Sequence, residues 1–157
     1  MVPPGDAADI PDPLALEQQV CFALSVAARS VVAAYRPLLE PMGLTHPQYL
    51  VMLALWQHAP LSVRRLSELL QLDPGTLSPL LKRLETIGYL RRKRDRADER
   101  SLAITLTPKG QALRSRAEQI PPAVVQRLGM PIEDLHQLHA ALTRVIAAAR
   151  PVATTAS

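Results

Sequence analysis

Between Ser62 and Leu106 the spacing of apolar residues passes from a helical to an alternating period, and that order leaves few architectures open. Ser62 opens the short run Val63-Arg64-Arg65-Leu66-Ser67-Glu68-Leu69-Leu70, whose Leu66, Leu69 and Leu70 fall on one helical face. Gln71-Leu72 reads as a tight turn. Asp73 then takes the cap position, Pro74 the first helical position, and Gly75 to Ile87 continue a longer helix that stops at Gly88. After Gly88 the period becomes two. Tyr89-Leu90-Arg91-Arg92-Lys93-Arg94 and Ser101-Leu102-Ala103-Ile104-Thr105-Leu106 read as strands, joined by the polar turn Asp95-Arg96-Ala97-Asp98-Glu99-Arg100. A short helix, a tight turn, a second helix and a hairpin form a helix-turn-helix with a β-hairpin wing.

The flanks are helical. Val20, Leu24, Ala27 and Val31 follow 4-3-4 steps within a helix expected over 14–39, and Pro41-Met42-Gly43 breaks it. Thr45 caps the next helix with His46-Pro47 in its first turn; Tyr49 to Trp56 is apolar nearly all round and is expected to be the buried central helix. Thr107-Pro108 starts another helix, expected to run to Gln119 and to be interrupted at Pro121-Pro122. Leu135, Leu138, Leu142, Val145 and Ile146 mark a last amphipathic helix from Ile132 to Ala149. With only 3% aromatic residues, the core must be built from Leu, Val and Ala, which favours helix on helix. The expected fold is mainly α with a small β-hairpin wing. A winged helix-turn-helix over 45–106 lies between terminal helices over 14–44 and 107–150, and residues 1–13 and 151–157 are flexible tails. The terminal helices exceed what the small central domain needs, so their apolar stripes call for a second copy of the chain: a homodimer.

Charge points to the partner. Net charge is +4, and between Leu61 and Arg100 ten Lys/Arg stand against six Asp/Glu. With 18 Lys/Arg and 14 Asp/Glu in all, the rest of the chain holds eight of each sign, so the whole surplus sits in the helix-turn-helix and wing. The second helix can lie in a major groove about 12 Å wide, presenting Thr76, Ser78, Pro79, Lys82 and Arg83. The hydroxyls of Thr76 and Ser78 reach phosphates or base edges, and Lys82 and Arg83 suit backbone phosphates or a guanine edge. The Asp73 cap leaves backbone N–H groups near the helix front, where a phosphate can also sit. The wing carries Arg91, Arg92, Lys93, Arg94, Arg96 and Arg100, and an arginine ribbon suits the minor groove, with Arg92, Arg94, Arg96 and Arg100 as contacts. Asp98 can fork the Arg100 guanidinium and fix its direction.

Leu44-Thr45-His46-Pro47-Gln48-Tyr49, Leu77-Ser78-Pro79-Leu80-Leu81-Lys82-Arg83-Leu84-Glu85 and Asp98-Glu99-Arg100-Ser101 resemble the MarR family of winged-helix repressors. Gln19-Val20-Cys21-Phe22-Ala23-Leu24 followed by Tyr35-Arg36-Pro37-Leu38-Leu39 is similar to its organic-hydroperoxide-sensing branch, the OhrR-type regulators. The similarity covers roughly residues 15 to 150. It implies an obligate dimer on double-stranded operator DNA with an inverted repeat, released when an organic hydroperoxide oxidises the cysteine to a sulfenic acid. It also implies a sensor pocket in which Tyr35 contacts the oxidised sulfur across the dimer and Tyr49 lies nearby. A second family tyrosine falls at His46, where an imidazole stands in place of the phenol.

From its own surroundings in sequence, Cys21 is a small buried hydrophobe or a redox sensor. A helix beginning at 14 puts it two turns in, too far for much help from the helix N-terminus. Tyr35 shares nearly the same face, but 14 residues of helix separate the two by about 21 Å, so they meet only across an antiparallel dimer. Cys21 is the single cysteine, which argues for a reducing compartment and a cytoplasmic protein. Its oxidised forms are the sulfenic acid, a cyclic sulfenamide or a mixed disulfide with a low-molecular-weight thiol.

No run of about 18 apolar residues is expected to span a bilayer, and the N-terminal residues lack the pattern of a signal peptide. His136 and His139 are a weak metal signal, so neither metal nor cofactor is expected. Two rivals remain: a repressor of the same fold released by a phenolic or aromatic ligand in the dimer crevice, and a thiol peroxidase. The peroxidase reading lacks a second cysteine and leaves the basic wing unexplained, so the chain reads as a regulator and not as an enzyme.

Overall fold

The computed structural model describes residues 12–94 and 102–150. The elements run α1 (Val20–Leu39), α2 (His46–His58), β1 (Leu61–Ser62), α3 (Val63–Leu70), α4 (Pro74–Ile87), β2 (Leu90–Arg94), β3 (Leu102–Leu106), α5 (Pro108–Ala117), α6 (Ile120–Leu128) and α7 (Ile132–Ala149). They form two compact units, one reaching Leu113 and one starting at Arg114. The hairpin turn, with Arg96, Asp98 and Arg100, lies outside the described residues, as do 1–11 and 151–157.

In the first unit the caps act as their residue types dictate. Thr45 and Gln48 form a capping box: the Gln48 amide donates to Thr45 Oγ1 at 3.4 Å and the Thr45 amide to Gln48 Oε1 at 3.0 Å. Ser62 accepts from the Arg65 amide at 3.0 Å and starts α3. Gln71, at φ 53°, makes the left-handed turn between α3 and α4, and Gly88, at φ 94°, ends α4. The inward faces then meet. Met52 and Leu55 of α2, Leu66 of α3, Leu77, Leu81 and Leu84 of α4, Leu90 of β2 and Ile104 of β3 are all fully buried. Nearly all of this core is aliphatic, as the low aromatic content requires.

The sheet has three strands, ordered β1-β3-β2 and antiparallel throughout. β1 pairs Leu61 with Ile104, and the hairpin pairs Leu90 with Leu106 and Arg92 with Ile104. The hairpin was legible from its alternation; β1 was not, because two residues show no period.

Three other expectations need correction. The first helix starts at Val20, not near residue 14: Gln19 is extended, at φ −81° and ψ 120°, behind a single 3-10 turn over Leu16–Gln18. Cys21 is therefore the second residue of α1 and lies in its first turn, not two turns in. In the second unit Pro121-Pro122 does not interrupt a helix; the pair falls in the first turn of α6, where the missing N–H groups would have had no helical acceptor. Finally, Val20–Met42 is long and apolar enough, by length and composition, to cross a membrane, contrary to the expectation of no such run. It carries Arg29, Arg36 and Glu40, and its apolar side chains are largely exposed.

Those exposed faces recur at the chain's terminal helices. α1 buries only Leu39 among its 20 residues and leaves Val20, Phe22, Val26 and Val32 exposed. α7 buries none and exposes Ile132, Leu138, Val145 and Ile146. Stripes of this size, uncovered in one chain, mark an interaction surface.

Candidate nucleic-acid interface and thiol site

α4 presents two unlike faces. Leu77, Leu81 and Leu84 recur at i, i+4 and i+7 and are buried, which turns Thr76, Ser78, Pro79, Lys82 and Arg83 to solvent. The structure thus brings the five helix residues expected at DNA onto the free side of one rigid element.

The front of α4 is capped by Asp73, as the sequence suggested. Asp73 Oδ1 accepts the Thr76 amide at 2.8 Å, and Asp73 Oδ2 accepts the Thr76 hydroxyl at 2.9 Å. The Thr76 amide beside it holds the Asp73 carboxyl below its usual range, so an anion already caps the helix. A phosphate approaching this terminus would meet that negative charge, and the Thr76 amide is already taken. The Thr76 hydroxyl donates its one hydrogen bond to Asp73, so toward DNA it offers lone pairs only.

Arg92 is placed differently from expectation. In the β2–β3 register it stands opposite Ile104, which is fully buried, so its side chain leaves from the sheet face that packs on the helices. There it meets Glu85 of α4. Arg92 Nε and Nη2 donate to Glu85 Oε2 and Oε1, both at 3.2 Å, and the Arg92 amide donates to Oε2 at 3.2 Å. This fork holds the Glu85 carboxyl below the ordinary carboxylate range. Arg92, assigned to the minor groove from composition, has its guanidinium occupied within the protein. Arg94 is exposed at the far end of β2. The alternation could have revealed this, because Leu90 must point inward and Arg92 shares its parity. By the same parity the exposed Arg91 and Lys93 form the outer face of the strand.

Of the sensor residues, Tyr35, His46 and Tyr49 come together. Their ring centroids lie 4.8 Å apart for Tyr35–His46, 5.8 Å for Tyr35–Tyr49 and 6.4 Å for His46–Tyr49. The C-terminal half of α1 supplies the first and the start of α2 the other two. Beside His46 lies an open cavity of about 250 Å³ lined by Val32, Arg36, Glu40, Leu44, Thr45 and Pro47. Burial pushes both phenols up, and for Tyr49 the neighbouring Tyr35 adds to the rise, so both stay protonated donors at neutral pH. Burial pushes the His46 imidazole down, so at neutral pH it is uncharged.

That depression has a consequence for stability. A histidine whose folded value lies below the ordinary 6.5 binds its proton more readily in the unfolded chain, so stability rises with pH across that window and falls as pH drops below 6.5. His46→Tyr removes the titrating group, and thermal melting between pH 7.5 and 5.5 is expected to lose part of its acid sensitivity.

Cys21 does not join this cluster within one chain. It lies on the same helix as Tyr35, 14 residues away, or about 21 Å along the axis. Its thiol is exposed, its carbonyl accepts the Ser25 hydroxyl at 2.8 Å, and it stands in the first turn of α1, where N–H groups have no helical acceptor. Among the described residues no group of three metal-ligating side chains occurs.

Residues 44–102 match the MarR family. Over 131 residues the chain is 44% identical to the organic hydroperoxide resistance transcriptional regulator of Bacillus subtilis, spanning 83% of this chain and 89% of that protein. It is 47% identical over 127 residues to the HTH-type transcriptional regulator TtmR of Methylorubrum extorquens, covering 81% of this chain and 65% of that longer protein. Among solved structures, reduced AbfR bound to DNA superposes with a TM-score of 0.70 at 32% identity, over 84% of this chain and 92% of that one.

Proposed function

The chain belongs to the MarR family, and from that membership we propose that it is a homodimeric repressor that holds an inverted-repeat operator and releases it when an organic hydroperoxide oxidises Cys21. The observation that carries the redox half is the placement of the chain's single thiol. Cys21 stands in the first turn of α1, outside the core of its own chain, in a chain 44% identical to an organic hydroperoxide resistance regulator.

The DNA half rests on the exposed face of α4, with Lys82 and Arg83 beside Ser78 and Pro79, and on a hairpin whose cations hold most of the charge surplus. The domains divide accordingly: 45–106 reads DNA, while the helices of 14–44 and 107–150 join the two copies. The uncovered apolar faces of α1 and α7 support the second assignment. Two copies related by a dyad present two α4 helices, which is why the operator repeats in inverted orientation.

Oxidation begins with the Cys21 thiolate. Its sulfur attacks one peroxide oxygen, the O–O bond breaks, and the other oxygen leaves with a proton as the alcohol. Cys21 is then a sulfenic acid, two electrons oxidised. Tyr35 and Tyr49, as protonated phenols, and His46, as a neutral imidazole, form the polar wall that receives the oxidised sulfur from the partner copy. With no second cysteine in the chain, the sulfenic acid next condenses with a low-molecular-weight thiol, losing water and forming a mixed disulfide.

The experiment compares wild type and Cys21→Ser on operator DNA at fixed salt, with and without cumene hydroperoxide. Oxidation is expected to weaken wild-type binding by about tenfold or more, in the range of ordinary allosteric coupling, and to leave Cys21→Ser bound. Release of both proteins, or of neither, would remove Cys21 as the sensor and move the signal to a ligand in the crevice.

A further inference from the structure

Resting on the DNA-binding reading above, we infer that Glu85 is a positioning residue: through Arg92 it sets the tilt of the basic hairpin against α4, so that helix and hairpin meet one duplex together. The placement of the pair carries the argument. The hairpin leaves α4 through only Gly88 and Tyr89, and its base is already fixed. The Tyr89 amide donates to the Leu84 carbonyl at 3.0 Å, and the Tyr89 hydroxyl donates to the Met42 carbonyl at 2.6 Å. Leu90, the first inward residue of β2, is buried. Arg92 is the next inward residue out along the strand, and beyond it the described part of β2 ends at the exposed Arg94.

A tie at Arg92 therefore governs how far the outer strand leans, as a stay does partway up a mast. Glu85 is suited to be that tie. It sits on α4 next to the inward Leu84 and within one turn of the outward Lys82, on the same rigid element as the residues facing DNA. Its carboxylate accepts both guanidinium N–H groups and the strand amide, so side chain and backbone are held in one geometry. A side chain that served only to shield charge would leave the Arg92 amide alone.

Partial exposure argues that the pair is not chiefly a stabilising one. The Arg92 and Glu85 side chains are 26% and 39% exposed, so water screens the pair in part and limits what it adds to folding. The consequence of breaking this one falls on binding. With the tie gone the hairpin leans freely, fewer of its cations reach phosphate while α4 is seated, and the salt dependence flattens.

The test uses a duplex of about two helical turns selected from random sequence by the wild-type protein. Affinity is measured over a range of salt, with melting in parallel, for Glu85→Gln, Arg92→Met, the double variant and the exchanged pair Glu85→Arg/Arg92→Glu. Glu85→Gln is expected to weaken binding by about tenfold, within the range of directly coupled residues, with a shallower salt slope and unchanged melting. The double variant is expected to bind no worse than either single one, and the exchanged pair to recover part of the loss.

Tighter binding with a steeper slope for Glu85→Gln would overturn the inference, since Arg92 would then be a phosphate contact that Glu85 restrains. Unchanged binding, single losses that multiply in the double variant, or a melting drop that accounts for the lost binding would overturn it equally. Failure of the wild type to select any duplex would instead strike the DNA-binding reading itself.

Discussion

Gly110→Ala lowers the melting temperature by about 4–8 °C, although helix propensity alone predicts the opposite sign. Gly110 lies in α5, and an interior glycine exchanged for alanine ordinarily stabilises a helix by about 1 kcal/mol. Here the new Cβ would stand 1.9 Å from the Tyr89 carbonyl oxygen and 2.8 Å from its carbon. No flexible side chain is available to move aside. Tyr89 is held by its amide on Leu84, by its hydroxyl on Met42, and by its own carbonyl, which accepts the Thr107 amide at 3.1 Å.

Gly110 is held as firmly: its amide donates to Thr107 Oγ1 and its carbonyl accepts Trp56 Nε1, both at 3.0 Å. The Thr107 hydroxyl in turn donates to the Gly88 carbonyl. Relief of the clash must break part of this set, at a cost of about 3 kcal/mol, which outweighs the propensity gain. For a chain of this size, each kcal/mol shifts melting by about 2–4 °C. Calorimetry of the purified variant checks the sign; a melting point unchanged or raised would mean that α5 does not approach the hairpin base this closely.

The contrast between Gly110 and Gly88 shows what a sequence of this kind makes legible. Gly88 ends a helical period and begins an alternating one, so its left-handed role is written in its neighbours. Gly110 sits inside a helix with nothing local to mark it; its reason is the Tyr89 backbone, 21 positions earlier in the chain. The caps follow the same division. Thr45, Ser62 and Asp73 were readable because the residue type and the pattern after it specify one partner three residues on. The start of α1 was misread because Leu14 and Leu16 continue an apolar spacing that the extended backbone at Gln19 interrupts. Pro121-Pro122 carried two meanings, helix break or first turn, and local sequence holds no term that separates them.

The site divides in the same way. The outward face of α4 followed from the inward one. The Glu85–Arg92 fork required the hairpin to be folded back on α4, and only the parity of Leu90 hinted at it. The meeting of Tyr35, His46 and Tyr49 came from the family pattern, since no periodicity relates a residue of α1 to residues of α2. Cys21 stands apart from all three within one chain.

The largest effect on binding is expected from Lys82→Ala/Arg83→Ala, which should weaken operator binding by about a thousandfold at 0.1 M salt. Both side chains are exposed on α4 and lie outside the aliphatic core, so melting should hardly change. In a symmetric dimer the two substitutions remove four cations. If each neutralises one phosphate, the slope of log affinity against log salt becomes shallower by about 3.6, from about 0.9 per contact. From a 1 M reference that slope change amounts to between three and four decades at 0.1 M.

A titration series from 50 mM to 300 mM salt, with Arg114→Ala in the second unit as the control, measures both quantities. Loss on the operator with an unchanged slope and intact binding to random duplex would reassign the pair to base edges, where contacts discriminate between sequences without releasing further counterions. An unchanged affinity would remove this face of α4 from the interface altogether. Asp73 places a negative charge at the front of α4, and Lys82 and Arg83 are the cations of the helix. The attraction that seats α4 against a polyanion therefore has to come from its second half.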